Sequence, residues 1–303
     1  MSTFDATDRP RPSWCRTPDG LEVAAYDFGG EGEDLLLVHA TGFCAEVFTP
    51  LARDLGEIFH CWGLDLRAHG RSDRPPDGNF AWSGFATDVL AVIDHLGLSW
   101  PLGFGHSAGG ASLLLAEQAR PGTFRSLYCF EPVVLPIEVG DEPTSFEDNP
   151  LTLGARRRRD SFPTAEDAFV NFSSKPPFSE LDPEVLCCYV EGGFEPIPAA
   201  EGGDGDAIRL RCRREDEAMI YACGPLHGAF GRLSEIECPV ALACGERTDA
   251  FGPSFLEADA ARLPRATIEV LPNLGHFGPL QRPPLVSASV VRALNPVSDT
   301  PSP

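Results

Sequence analysis

One short stretch, Gly105-His106-Ser107-Ala108-Gly109, places a hydroxyl between small residues. An apolar run, Leu102–Gly105, leads into it, and a helical pattern over Ala111–Ala119 follows, stopped by Pro121-Gly122. A turn from strand to helix at this spacing must be sharp and strained, and the glycines let the two backbones approach without a clash. It would hold the Ser107 hydroxyl above a sheet, at the start of a helix. There free N–H groups and the helix dipole favour a developing anion. Ser107 is therefore read as a nucleophile rather than an incidental turn residue.

A serine hydroxyl reacts poorly until a base removes its proton. The chain has 7 histidines. His39 ends a strand, His69 lies in a strand-end loop, and His106 is inside the turn itself. His60, His95 and His227 lack a glycine-framed setting. His276 lies in Asn273-Leu274-Gly275-His276-Phe277-Gly278, past the last predicted strand and before the final helix. Sheet enzymes gather their catalytic groups in such loops, so His276 is the expected base. The base needs a carboxylate to fix its tautomer and stabilise the imidazolium. Asp249, in Gly245-Glu246-Arg247-Thr248-Asp249 directly after the strand at Val240–Ala243, is preferred because it gives the order Ser, Asp, His. Glu131, at the end of the strand Leu127–Phe130, is the alternative, since a carboxylate beside Phe130 and Pro132 would be costly to bury unpaired. The oxyanion donors are expected at the N–H of Ala108 and, in the loop His39-Ala40-Thr41-Gly42-Phe43, at the N–H of Thr41.

The elements that must carry these groups follow from periodicity. Leu21–Phe28 alternates, Leu35–Ala40 is a continuous apolar run, and His60–Leu66 is another strand. From Trp82, the positions Phe85, Val89, Val92, Ile93 and Leu96 step by three and four, which marks a helix face. After Glu131 the alternation stops, and it resumes at Val240–Ala243. A helix over Phe255–Leu263, a strand at Thr267–Leu271 and a helix over Leu285–Leu294 then follow. This is the pattern of an α/β fold with a mostly parallel sheet flanked by helices. The interruption of about 100 residues is too long for a loop and reads as a helical subdomain. The expected division is a core at 1–134, an insertion at 135–233 and the rest of the core at 234–303. Phe162, Phe169, Phe172, Phe178, Tyr189, Phe194, Tyr221 and Phe230 crowd the insertion, either as its own core or as the roof of an apolar pocket.

Composition excludes several other classes. The 303 residues carry 45 acidic and 24 basic side chains, a net charge of −21, which disfavours nucleic acid as a partner. The apolar runs fall far short of the roughly 20 residues a membrane span needs. The opening MSTFDATDRPRPS lacks the apolar stretch of a signal peptide. Both the N-terminal segment to about Arg11 and the tail from Asn295 have the composition of disordered ends. The 10 cysteines are scattered, apart from the adjacent Cys187 and Cys188, and suit neither a disulfide framework nor a metal set. A reducing cytoplasm is the simplest home. No phosphate loop, dinucleotide fingerprint or metal-ligand set occurs, and the chemistry above needs no cofactor. The runs at Arg156–Arg159 and 209–214 are basic, and they suggest a solvated face paired with neighbouring acids or an attraction for an anionic partner.

Taken together, HATGF at 39–43, DLRAHGRSD at 65–73, GHSAGG at 105–110, GERTD at 245–249 and GHF at 275–277 resemble the α/β-hydrolase superfamily. The likeness is to its capped, single-domain serine hydrolases of bacterial type, over about residues 20–295. It implies an eight-stranded sheet with a helical cap after the sixth strand, a Ser107–His276–Asp249 triad and an acyl-enzyme mechanism. Ala40 departs from the glycine many members have there, and the triple-glycine loop of hormone-sensitive-lipase-like esterases is absent. Serine at 107 argues against dehalogenation and epoxide opening, which use aspartate. The expected activity is esterase-like, on a small-molecule acyl substrate that is neutral or cationic. The alternatives are C–C bond hydrolysis, perhydrolysis or acyl transfer with the same triad, or a receptor that binds without turnover. A homo-oligomer is left open.

Overall fold

The computed structural model describes residues 10–137, 148–203 and 205–295. Most of the N-terminal segment and the tail beyond Asn295 lie outside them. The chain begins with strands β1 (Ser13–Arg16), β2 (Glu22–Gly29) and β3 (Glu33–Val38). Helix α1 (Thr49–Leu55), β4 (Phe59–Leu64), α2 (Ser83–Leu96), β5 (Leu102–His106), α3 (Ala108–Ala119) and β6 (Ser126–Phe130) follow. An insertion then carries α4 (Pro150–Arg157), β7 (Ser161–Phe162), α5 (Ala165–Ser173), α6 (Pro183–Gly193), β8 (Phe194–Pro196), β9 (Ile208–Leu210) and α7 (Arg214–Cys223). The core resumes with β10 (Val240–Gly245), α8 (Pro253–Ala260), β11 (Ala266–Leu271), α9 (Gly278–Gln281) and α10 (Pro283–Leu294).

Eight strands form one sheet in the order β1-β2-β4-β3-β5-β6-β10-β11. β1–β2 and β2–β4 pair antiparallel, and the other five pairings are parallel. Parallel strands are covered on both faces, which is why β3, β5 and β10 read as unbroken apolar runs. Alternate side chains serve opposite faces. Leu36 and Val38 pack with Phe85 and Val89 of α2, Leu113 of α3 and Leu256 of α8. Leu35 and Leu37 pack with Leu51 and Leu55 of α1 and Val286 and Val290 of α10. Full burial of each such side chain contributes roughly 1.5–3 kcal/mol. The two layers therefore clamp the strand ends that carry the chemistry. Among the described residues, no helix is long and apolar enough to cross a membrane. The cysteines are free thiols, and Cys61, Cys129 and Cys244 are buried in strands.

The insertion carries helices α4–α7, and it also holds a three-stranded antiparallel sheet in the order β7-β9-β8. Strands of two or three residues show no readable period, which is why they escape the sequence. The aromatics make the insertion's own core, with Phe172 4.7 Å from Phe178 and 5.4 Å from Tyr189 between ring centroids. Its arginines are mostly engaged by local acids. Arg156 pairs with Glu215, Arg158 with Glu217, Arg209 with Glu195 and Glu201, and Arg214 with Asp160. Arg159 lies over the Phe162 ring.

One buried group is out of register with its surroundings. Asp259 of α8 is 1% exposed, and neither carboxylate oxygen has a hydrogen-bond partner among the described residues. Burial pushes its carboxyl up to about 8. Below the ordinary carboxylate range both folded and unfolded chains hold this proton. Between that range and about 8 only the folded chain does, so stability falls as pH rises through this window and is level above it. Asp259→Asn removes the titration. Melting temperatures from pH 5 to 8.5 should therefore decline less steeply in the variant than in the wild type. Equal slopes would assign the pH dependence to other groups.

Candidate active site

Ser107 stands between β5 and α3 with φ 55° and ψ −114°, outside the ordinary allowed regions for a non-glycine residue. The two flanking glycines are needed for space. A Cβ on Gly109 would lie 2.0 Å from the Val38 carbonyl oxygen, and one on Gly105 would lie 2.5 Å from Gly110 Cα. The turn is pinned by the Ser107 N–H donating to Phe130 O at 2.9 Å. The Ser107 carbonyl in turn accepts from Val133 N–H at 3.2 Å. Ala108 is the first residue of α3, so its N–H belongs to the set that a helix start leaves without an intrahelical acceptor.

His276 reaches Ser107 from the loop after β11, with Nε2 3.2 Å from Oγ. Its Nδ1 lies 2.6 Å from Glu131 Oε2. A carboxylate only accepts, so Nδ1 carries the proton and Nε2 is left to accept from the serine hydroxyl. Glu131 is fully buried and held by two further donors, Gly245 N–H on Oε1 at 3.0 Å and Thr248 Oγ1–H on Oε2 at 2.7 Å. Its backbone has φ 44°, which turns the chain at the end of β6.

Here the geometry departs from the sequence preference. Asp249 is exposed on the wall of the cavity, and it is Glu131 that faces His276 Nδ1. The physical reason is strand order, because β6 lies between β5, which leads into Ser107, and β10. The end of β6 is thus one strand from Ser107, whereas Asp249 lies four residues beyond β10. The segment Gly245–Asp249 still serves the site, through Gly245 and Thr248. Thr248 had no signal in the sequence beyond lying in that turn.

Three histidines set aside as bases turn out to hold backbone. His106 Nε2–H donates to the His276 carbonyl at 2.9 Å, and burial pushes its ring well below the usual histidine range. His39 Nε2 accepts from Leu66 N–H at 3.1 Å, while its Nδ1–H donates to Ala40 O at 2.8 Å. His69 Nε2 accepts from Gly42 N–H at 3.0 Å, and its Nδ1–H donates to Arg67 O at 3.0 Å. Burial lowers these two rings to about 4 and about 3, so both are neutral at ordinary pH. Together they tie the loop at Ala40–Gly42, which contains Thr41, to the loop after β4. From above, Phe43 of the same loop packs on Phe178 and Tyr189 of the insertion, at 5.7 and 5.3 Å.

Ser107, His276, Thr41 and Asp249 line one cavity of about 690 Å³. Its wall is largely apolar, with Trp82, Val133, Leu135, Leu151, Phe251 and Phe277. Of the eight insertion aromatics only Tyr221 reaches it, and none of Arg156–Arg159 or the arginines at 209–214 does, among the described residues. Arg247, Glu180 and Asp249 are its ionised groups. Arg247 donates to Asn273 O at 2.5 Å, and Glu180 accepts from Gln281 at 3.1 Å.

The profile of the alpha/beta hydrolase family matches residues 35–289, which includes both strand ends and all three site residues. This chain belongs to that family. Among its relatives is the 2-(acetamidomethylene)succinate hydrolase of Mesorhizobium japonicum, 30% identical over 262 residues, covering 82% of this chain and 83% of that one. The N-formylmaleamate deformylase of Pseudomonas putida is 33% identical over 134 residues, 44% of this chain and 48% of that one. The crystal structure of E-2-(acetamidomethylene)succinate hydrolase superposes with a TM-score of 0.77 at 18% identity, over 94% of this chain and 99% of that one. That likeness is one of fold.

The arrangement makes the two carboxylates separable. With Glu131→Gln the amide can turn its NH₂ toward Nδ1 and favour the wrong tautomer, a change that costs about 10⁴-fold when made to the acid of a serine-protease triad. The rate at which a fluorophosphonate labels Ser107 should fall by that order in Glu131→Gln and by no more than a few-fold in Asp249→Asn. The reverse ranking would restore Asp249.

Proposed function

We propose that this family member is a serine hydrolase that cleaves a carboxylic ester with a modest apolar group through an acyl-enzyme intermediate. The observation that carries the reading is the hydrogen-bonded series from Ser107 through His276 to Glu131, opening into a largely apolar cavity. In the first half-reaction Ser107 Oγ attacks the carbonyl carbon while His276 Nε2 takes its proton. The N–H groups of Ala108 and Thr41 receive the oxyanion, each such donor being worth roughly 3–4 kcal/mol to the transition state. His276 passes the proton to the departing alkoxide, leaving the acyl group on Ser107. In the second half, His276 removes a proton from water, hydroxide adds to the acyl carbon, and the acid leaves as Ser107 regains its proton. Glu131 accepts from His276 Nδ1–H and stabilises the transient imidazolium. The insertion acts as a cap, contributing Leu151, Pro177 and Tyr221 to the cavity wall.

A neutral substrate is favoured because the insertion's arginines are turned to their own acids, and Arg247 shares the cavity with Asp249 and Glu180. The relatives support a second reading. Their names carry acetamido and N-formyl groups, so an amide-type acyl bond is the competing target for the same residues. A panel of p-nitrophenyl acetate and butyrate, N-formyl and N-acetyl amides, and carboxylate-bearing analogues of each separates the two. Many turnovers per site on the neutral esters, reduced at least about 10³-fold in Ser107→Ala, are expected. Turnover confined to the amides would favour the second reading, and turnover that survives Ser107→Ala would remove both.

A further inference from the structure

Trp82 borders two cavities. One is the cavity that contains Ser107 and His276. The other, of about 460 Å³, has Phe80, Leu90, Leu115, Cys223 and Leu226 as its large apolar wall residues, beside polar ones such as Ser83 and Thr87. None of the residues assigned above to catalysis lines this second chamber. We infer that the Trp82 ring is the partition between the two, and that it sets the longest chain the enzyme accepts. The ligand for the second chamber would be the distal part of a linear alkyl group whose carbonyl sits at Ser107. The inference rests on the ester reading above and deepens it.

Between the two cavities the ring is held by several contacts. It is 2% exposed, and its Nε1–H donates to Ile220 O at 3.1 Å, which ties it to α7. Phe85 meets it edge-on at 5.5 Å, and His227 stacks on it at 5.1 Å with the planes 25° apart. Gly224 approaches the ring closely as well, since a Cβ there would lie 3.2 Å from Trp82 Cζ2. His227 is itself locked. Its Nδ1 accepts from Ala229 N–H at 3.0 Å, so Nε2 carries the proton and donates to Val133 O at 2.7 Å. Val133 lines the first cavity, and its N–H is the group bonded to the Ser107 carbonyl. The partition is therefore braced against the segment that leaves the nucleophile's strand partner. A ring held by packing, stacking and a hydrogen bond does not swing aside to admit a longer chain.

Removing the ring should join the chambers. Alkyl groups gain about fourfold for each methylene buried, so a few methylenes entering the second chamber give a readable change. The experiment measures kcat/KM for p-nitrophenyl esters from acetate to laurate in the wild type, Trp82→Ala, Trp82→Leu and Trp82→Ala/Ala119→Trp. Ala119 lines the second cavity and not the one that contains Ser107. The laurate-to-butyrate ratio should rise at least tenfold in Trp82→Ala, less in Trp82→Leu, and return toward the wild-type value in the double variant. If Trp82→Ala does not fold, Trp82→Leu carries the comparison. An unchanged ratio in either variant that still hydrolyses acetate overturns the inference alone, as does a gain that Ala119→Trp fails to reverse. Absence of acetate turnover in the wild type overturns the ester reading, and the inference with it.

Discussion

A carboxylate removed from water must be met by donors, because the uncompensated charge would cost far more than a fold can supply. Glu131 is such a group, and the donors that meet it come from three separate places. Gly245 ends β10, Thr248 lies in the turn beyond it, and His276 sits in the loop after β11. The shared carboxylate draws them to one point, and the position of His276 over Ser107 follows. The same burial that makes the group costly makes its hydrogen bonds strong, so the imidazole has one tautomer and one direction.

Around that centre the polar work is done by neutral groups. His39, His69 and His106 each sit where two or more loops meet, and each uses ring nitrogens as fixed donors or acceptors to backbone. Solvation cannot compete, since the rings are buried, and protonation is suppressed for the same reason. The insertion follows a different rule. Most of its arginines pair with acids of its own, with Arg158 buried between Glu217 and Tyr189 as the inner member of the set.

Much of this could be read from residue order. The unbroken runs of β3, β5 and β10 announce strands covered on both faces, and the stepped apolar positions of α2 announce a helix. The small residues around Ser107 announce the turn, because no side chain fits at Gly105 or Gly109. The choice between Asp249 and Glu131 was not legible in the same way. Each follows a strand, Glu131 directly and Asp249 a turn later, and the decision rests on which strands are neighbours and on a left-handed backbone at Glu131. Neither is a property of a short window of sequence. The HATGF and RAHG stretches were visible as motifs, but the bond from Gly42 to His69 joins residues 27 apart. The strands of the insertion's small sheet are shorter than the period that would reveal them.

The backbone at Ser107 and Glu131 has a consequence for how this protein can change. Both adopt positive φ, where a non-glycine residue costs about 1–3 kcal/mol, against a net stability of about 5–15 kcal/mol for a typical domain. Glycine would relieve the backbone at Ser107, where the side chain is small, but would delete its hydroxyl. At Glu131 the same change would also leave the donors of Gly245, Thr248 and His276 unpaired. Robustness and the hydroxyl are therefore opposed at Ser107, whereas at Glu131 the strained backbone is held by the contacts its side chain makes. A lineage released from the need for turnover would be expected to lose the Ser107 hydroxyl first and the Glu131 carboxylate later.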